Sequence, residues 1–149
     1  MSVYQLKISL VQSNATVGGI DFNSECVLTN ANEAEKKGSD LLVFPEMFLS
    51  GYQPLDLVNK NSFLENISIR VQQIAQKTKR LGVRILIGAP WLLDEKIYNA
   101  FISIHRGFIK IVGKKSHLPN YDVFDEKRFF VAGDELELLD LGTLKIGFP

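Results

Sequence analysis

The sequence predicts an α/β fold in a single domain. In its first half, short apolar runs typical of buried strands alternate with two segments whose apolar residues recur at helical spacing. The second half contains short apolar segments separated by turns and is mainly β in character. No internal repeat, low-complexity tract or linker interrupts the 149 residues, so we treat residues 1–149 as one domain.

Seven strands are expected, three up to residue 89 and four beyond it. They cover residues 4–12, 40–45, 83–89, 97–105, 107–112, 136–141 and 144–148. The second and third are nearly continuous apolar runs, which is typical of strands covered on both faces. The first half therefore predicts a buried sheet.

Two amphipathic helices are expected between the first three strands. The first follows Asn23, which is a suitable N-cap, and Gly38 supplies its stop. The second is marked by apolar residues from Phe63 to Leu81 and is ended by Gly82. Each helix has one apolar stripe, so we expect both to pack on the sheet.

Composition and charge exclude several classes of function. Lysine plus arginine and aspartate plus glutamate each count 17, so the chain lacks the basic surface expected of a nucleic-acid binder. No apolar run approaches the ~20 residues needed to cross a bilayer, and the N-terminus lacks the features of a secretory signal. We expect a cytoplasmic protein without nucleic-acid or membrane partners.

The single cysteine, Cys26, excludes a disulfide framework and a multi-cysteine metal site. It falls on the first expected helix with no adjacent histidine, which favours a structural role. The common signatures of serine hydrolases, nucleotide-binding loops and zinc proteases are missing. The sequence therefore predicts no metal site and shows no nucleophile of its own.

Glu46 directly follows the apolar strand of residues 40–45. In open α/β sheets, ligands bind outside the carboxyl ends of the strands, so a carboxylate here is well placed for acid/base chemistry. Alternatively, Glu46 caps the following segment or pairs with a surface lysine. Position alone does not separate these interpretations.

Two lysines, Lys114 and Lys115, precede a loop that contains His117 and Pro119. A lysine at a strand end beside a carboxylate can stabilise a developing oxyanion, although a solvated lysine pair is the alternative. His117 is expected to be structural. The following segment, residues 121–130, is rich in both aromatic and charged residues and can line a polar pocket or simply anchor a loop.

Taken together, these residues resemble the nitrilase, or carbon-nitrogen hydrolase, superfamily. The resemblance covers essentially the whole chain and is carried by Gln12, residues 42–46 and 50–52, and residues 115–119. Within the superfamily, residues 51–57 and above all 118–130 resemble the glutaminase domains of glutamine-dependent NAD synthetases. The implied fold is the N-terminal part of a four-layer α-β-β-α sandwich.

The resemblance also implies roles for particular residues. The family uses a Glu, Lys and Cys triad, in which Glu46 would be the general base and acid and Lys115 the cation that stabilises the tetrahedral intermediate. It further implies Glu126 as a supporting carboxylate, and Tyr52 and Tyr121 as walls of a glutamine pocket. Because Glu46 and Lys115 would act on one substrate, we expect them within ~10 Å of each other.

The family nucleophile would follow the strand of residues 144–148, and the printed sequence stops at Pro149 without it. We therefore expect an incomplete N-terminal portion that is inactive alone and needs no cofactor itself. Glutamine is the implied substrate, whereas ATP, magnesium and deamido-NAD belong to an absent synthetase domain. The chain could instead be part of another amidase or a non-catalytic binding module.

Half of a sandwich leaves one face of its sheet uncovered, and large exposed apolar patches are rare on monomers. We therefore expect a homo-oligomer, in which residues 97–105 and 107–112 meet a partner chain.

Overall fold

The computed structural model describes residues 5–134, 138–142 and 144–148. The helices are α1 (Ile20–Lys36) and α2 (Asn61–Thr78), and two short 3₁₀ helices cover Leu55–Asn59 and Glu126–Arg128. The strands are β1 (Ile8–Leu10), β2 (Leu41–Val43), β3 (Arg84–Leu93), β4 (Lys96–His105), β5 (Phe108–Lys114), β6 (Leu138–Asp140) and β7 (Lys145–Gly147).

The first five strands form one mixed sheet in the order β1-β2-β3-β4-β5. β1, β2 and β3 run parallel, with α1 and α2 as the crossovers between them. β3, β4 and β5 are antiparallel neighbours joined by tight turns. β6 and β7 pair with each other in a second, two-stranded sheet.

At its centre the large sheet is packed on both faces, contrary to the expectation that one face would be uncovered, because alternate residues of its strands enter different cores. On β3, Ile85 and Ile87 pack with buried residues of α1 and α2, such as Val27 and Val71. Leu86 points into another core, which contains Leu139 of β6. The helix–sheet–sheet layering confirms the expected α/β fold class.

Asn23 is not the N-cap of the first helix, contrary to the expectation from sequence. The helix begins at Ile20, and Asn23 is fully buried inside it. Its side chain accepts a hydrogen bond from the Thr16 amide (2.9 Å) and donates to the carbonyls of Thr16 (2.8 Å) and Leu49 (3.1 Å). Asn23 therefore ties the loop before α1 to the turn after β2.

The second helix ends at Thr78, before the expected stop at Gly82. Gly82 and Val83 lie in the connection to β3, where both amides donate to Glu35 Oε2 at 2.9 Å. The Glu35 carboxylate of α1 thus accepts hydrogen bonds from the amides of this segment, which forms a turn and a bend before β3 rather than a continuation of the helix.

Several strand boundaries also differ from those expected. β1 and β2 are three residues each, whereas β3 continues past residue 89 to Leu93 because it pairs with β4 along its length. Of the strand expected at residues 136–141, residues 136 and 137 lie outside the described residues, and β6 covers Leu138–Asp140. Neither helix in the described part of the chain is long and apolar enough to cross a membrane.

Candidate active site

Glu46 lies in the turn that follows β2. Backbone hydrogen bonds from Phe44 to Leu86 (2.9 Å) and from Leu49 to Gly88 (3.1 Å) hold both ends of this turn against β3. The contact requires a glycine on β3, since a Cβ at Gly88 would lie 2.5 Å from the Met47 nitrogen. The backbone around Glu46 is therefore fixed to the centre of the sheet.

Lys115 directly follows β5, and its main chain is held on two sides. Its amide donates to the Asn99 carbonyl of β4 (2.9 Å), and its carbonyl accepts from the Gly133 amide (2.9 Å). A Cβ at Gly133 would lie 2.3 Å from the Lys114 oxygen, so the two backbones pack closely. This clamp positions the base of the Lys115 side chain.

The Lys115 ammonium bridges two carboxylates. Its Nζ lies 2.9 Å from Glu46 Oε1 and 3.1 Å from Glu126 Oε1. Glu46 is separated from Lys115 by 69 positions in the sequence, so the fold brings them together. The expected approach of Glu46 and Lys115 is confirmed.

The two carboxylates have different environments. The Glu46 side chain is 44% exposed, whereas that of Glu126 is 6% exposed. Glu126 Oε2 is buried and accepts no hydrogen bond from the described residues, and Glu126 also lines a cavity of about 20 Å³, which has room for one water. The accessible carboxylate suits proton exchange with a ligand, and the buried one suits support of Lys115.

The electrostatics keep Lys115 charged. Burial alone would lower the pKa of Lys115, but its hydrogen bonds and charge interactions with Glu46 and Glu126 outweigh burial and raise the pKa above its ordinary value. A cation at this position can stabilise an oxyanion at neutral pH.

Tyr52 lies beside the buried carboxylate, with its hydroxyl 3.5 Å from Glu126 Oε1. Burial raises the pKa of Tyr52, and the nearby charges of Glu126 and Glu46 act in the same direction. These effects outweigh the lowering by the Gln53 hydrogen bond and by Lys115, so the phenol stays neutral and can donate.

A cleft of about 330 Å³ opens beside Glu46 and Lys115. Asn99, Phe101 and Phe148 also line it, and the rings of Phe101 and Phe148 meet edge to face with centroids 4.9 Å apart. This size and this mixture of apolar walls with a few polar groups suit a small polar ligand. Because Phe148 directly follows β7, the chain leaves β7 at the wall of the cleft.

The other candidates make no described hydrogen bond or ion pair with Glu46 or Glu126. Tyr121 is exposed, packs against Phe124 with ring centroids 5.6 Å apart, and lines an open groove that also includes Lys115. Lys114 pairs instead with Asp134, at 3.6 Å. Cys26 is on α1 and packs against the helix-side core. A binding role for Tyr121 stays a prediction.

Sequence reasoning missed Asn99, Gly88 and Gly133. Asn99 donates to Glu46 Oε1 at 2.6 Å and is buried on β4. A polar residue inside an otherwise apolar strand pattern was the available signal for Asn99. No sequence signal marked the two glycines, whose importance depends on which backbones approach them. In the parts of the chain that the structure describes, no group of three or more His, Cys, Asp or Glu could hold a metal ion.

Comparisons with known proteins agree with this arrangement. Residues 7–148 match the family described as carbon-nitrogen hydrolase. A glutamine-dependent NAD(+) synthetase from Thermotoga maritima is 43% identical over 143 residues, which are 96% of this chain and 25% of that protein. A second such synthetase, from Aquifex aeolicus, is 38% identical, and the chain spans about a quarter of the length of both curated relatives.

Two solved structures extend the comparison. A glutamine-dependent NAD+ synthetase from Acinetobacter baumannii, in complex with ADP, superimposes with a TM-score of 0.81 at 29% identity, covering 95% of this chain and 27% of that one. An amidase from Nesterenkonia sp. superimposes with a TM-score of 0.76 at 21% identity, covering 95% of this chain and 54% of that one. The likeness to the amidase is one of fold alone.

Proposed function

This chain belongs to the carbon-nitrogen hydrolase family, and from that premise we propose that it is the N-terminal part of the glutaminase domain of a glutamine-dependent NAD synthetase. The domain would hydrolyse glutamine to glutamate and ammonia. The parent protein would use that ammonia to amidate deamido-NAD with ATP and magnesium, in the cytoplasm. The observation that carries the proposal is the Lys115 ammonium held between Glu46 and Glu126.

The proposed reaction is covalent. A cysteine thiol gives its proton to Glu46 and attacks the carboxamide carbon, while Lys115 stabilises the negative oxygen of the tetrahedral intermediate. Glu46 then returns the proton to the leaving nitrogen, so that ammonia departs and a thioester remains. Water, activated by Glu46, hydrolyses the thioester to glutamate and restores the thiol.

The nucleophile would come from outside the described residues. Cys26 is the only cysteine in the sequence, and it is a partly buried residue of α1 that packs against the helix-side core. Phe148, at the end of β7, lines the cleft beside Glu46 and Lys115. This position supports a cysteine placed shortly after β7 in the parent protein.

The first test is to read the coding sequence past Pro149. We expect a cysteine within a few residues and an ATP-binding synthetase domain further on. A continuous reading frame with neither would contradict the proposal and leave a binding module as the alternative.

The second test is to measure glutamate release by the encoded enzyme. General acid–base catalysis contributes roughly 10²–10⁴-fold, so Glu46→Gln should lower glutamine turnover by about that factor. The matched control is Glu65→Gln, an exposed residue of α2, which should keep wild-type turnover. Turnover of small amides but not of glutamine would identify another amidase instead.

A further inference from the structure

Asn99 is the one residue of β4 that contacts both members of the Glu46–Lys115 pair among the described hydrogen bonds. Its side-chain Nδ2 donates to Glu46 Oε1 at 2.6 Å, and its main-chain carbonyl accepts from the Lys115 amide at 2.9 Å. It is 5% exposed and lines the cleft. Asn99 therefore links the two charged groups through one rigid strand.

Glu46 needs such a link, because its side chain is half-exposed and lies in a turn. Its other hydrogen-bond partner is the ammonium of Lys115, which sits at the end of a long, rotatable side chain. Asn99 is held more firmly, since β4 pairs with β3 on one side and β5 on the other. Of these two partners, Asn99 is the one that offers a short side chain on a fixed backbone.

Both donors bind the same oxygen. The hydrogen bonds from Asn99 and Lys115 reach Oε1, and no described residue donates to Oε2. Holding a carboxylate by one oxygen fixes the direction of the other. The oxygen left over is then available to take a proton from the nucleophile and return it to the leaving nitrogen.

We propose that Asn99 is a positioning residue for the reaction, which orients Glu46 through Oε1 and leaves Oε2 for proton transfer. The inference rests on the proposed glutaminase function. It adds a residue that acts through Glu46 rather than on substrate. Among the described residues, the charged and titratable groups near Glu46 are Lys115, Glu126 and Tyr52, and Lys114 lines the same cleft.

The kinetic test compares Asn99→Ala and Asn99→Asp in the encoded enzyme. Misorienting a proton-transfer group affects the transition state more than binding, so Asn99→Ala should lower kcat for glutamine about 10²-fold and change KM less than about threefold. An unchanged kcat, or a rise in KM alone, would overturn the proposal.

The kcat of Asn99→Asp separates an orienting hydrogen bond from a purely structural role of Asn99. Aspartate has nearly the size of asparagine, but it presents a carboxylate oxygen to Glu46 Oε1 in place of the Nδ2 donor, so the two negative groups repel each other. The kcat of Asn99→Asp should therefore be at least as low as that of Asn99→Ala, although the side-chain volume is kept. A wild-type kcat in Asn99→Asp would contradict the orienting hydrogen bond.

A spectroscopic test on the 149-residue chain examines the contact without any need for activity. The side-chain amide resonances of Asn99 should shift when Glu46→Gln is introduced and should stay in place with Glu65→Gln. Unshifted resonances in Glu46→Gln would overturn the inference even if the enzyme hydrolyses glutamine. A wild-type enzyme that releases no ammonia from glutamine would refute the proposed function, and with it the role of Asn99 in that reaction, whatever the resonances show.

Discussion

Replacing Lys115 with methionine should destabilise the fold as well as remove the proposed oxyanion contact. Lys115→Met keeps most of the volume and deletes the ammonium between Glu46 and Glu126. Among the described residues, the carboxylate of Glu126 would then keep only the 3.5 Å contact of Oε1 with the Tyr52 hydroxyl, because Oε2 already accepts no hydrogen bond from them. A buried carboxylate would be left uncompensated.

The magnitude follows from the burial of each partner. Loss of the ion pair with the half-exposed Glu46 should lower the free energy of unfolding by at most about 1 kcal/mol. Breaking a fully buried pair costs about 3–5 kcal/mol, and because Lys115 is 27% exposed we reduce the Glu126 part to about 2–3 kcal/mol. The total of about 3 kcal/mol should lower Tm by roughly 6–12 °C in a domain of 149 residues.

Urea and thermal unfolding, followed by circular dichroism at neutral pH, measure this loss. The control is Lys114→Met, whose ion-pair partner Asp134 is 83% exposed, so its ion pair should contribute less than about 1 kcal/mol. In the double variant Lys115→Met/Glu126→Gln, a neutral amide replaces the buried charge, and at least about half of the loss should be recovered. A Lys115→Met chain no less stable than Lys114→Met would refute the reasoning.

Three further outcomes are expected. Gly88→Ala should lower the free energy of unfolding by about 1–3 kcal/mol, because its Cβ would clash with the backbone after β2. A Cβ at Gly113 meets only ordinary contacts, so the control Gly113→Ala should lower it less. Equal losses in the two variants would contradict the close approach at Gly88. Because the pKa of Lys115 is raised above its ordinary value of 10.5, its stabilisation is present below that pH and is lost as the pH rises through the folded-state pKa. As the pH rises above 10.5, wild type should therefore lose more unfolding free energy than Lys115→Met, and parallel losses would count against the ion pair. Finally, both edge strands carry exposed apolar side chains, including Leu10 of β1 and Phe108 of β5. These side chains should lead the 149-residue chain to self-associate. A compact monomer in analytical sedimentation at micromolar protein concentration would contradict this prediction.

The sequence alone determined the order of the elements and the placement of Glu46. Both are local properties, since helical and strand periodicity and the residue at a strand end can be read within a short window. The motif around Lys115 was likewise visible in the sequence, although its chemical role came from resemblance. That is why the α/β class and the approach of Glu46 to Lys115 could be predicted.

Apart from the approach of Glu46 to Lys115, only the tertiary structure decided which groups distant in the sequence contact one another. Asn23 looked like a helix cap because its local neighbours suit one, yet its hydrogen bonds go to Thr16 and Leu49 inside the core. Asn99 meets Glu46 across 53 positions of sequence only because β2, β3 and β4 are adjacent. Hydrogen-bond partners and close backbone approaches such as that at Gly88 depend on strand register and packing, which no local pattern encodes.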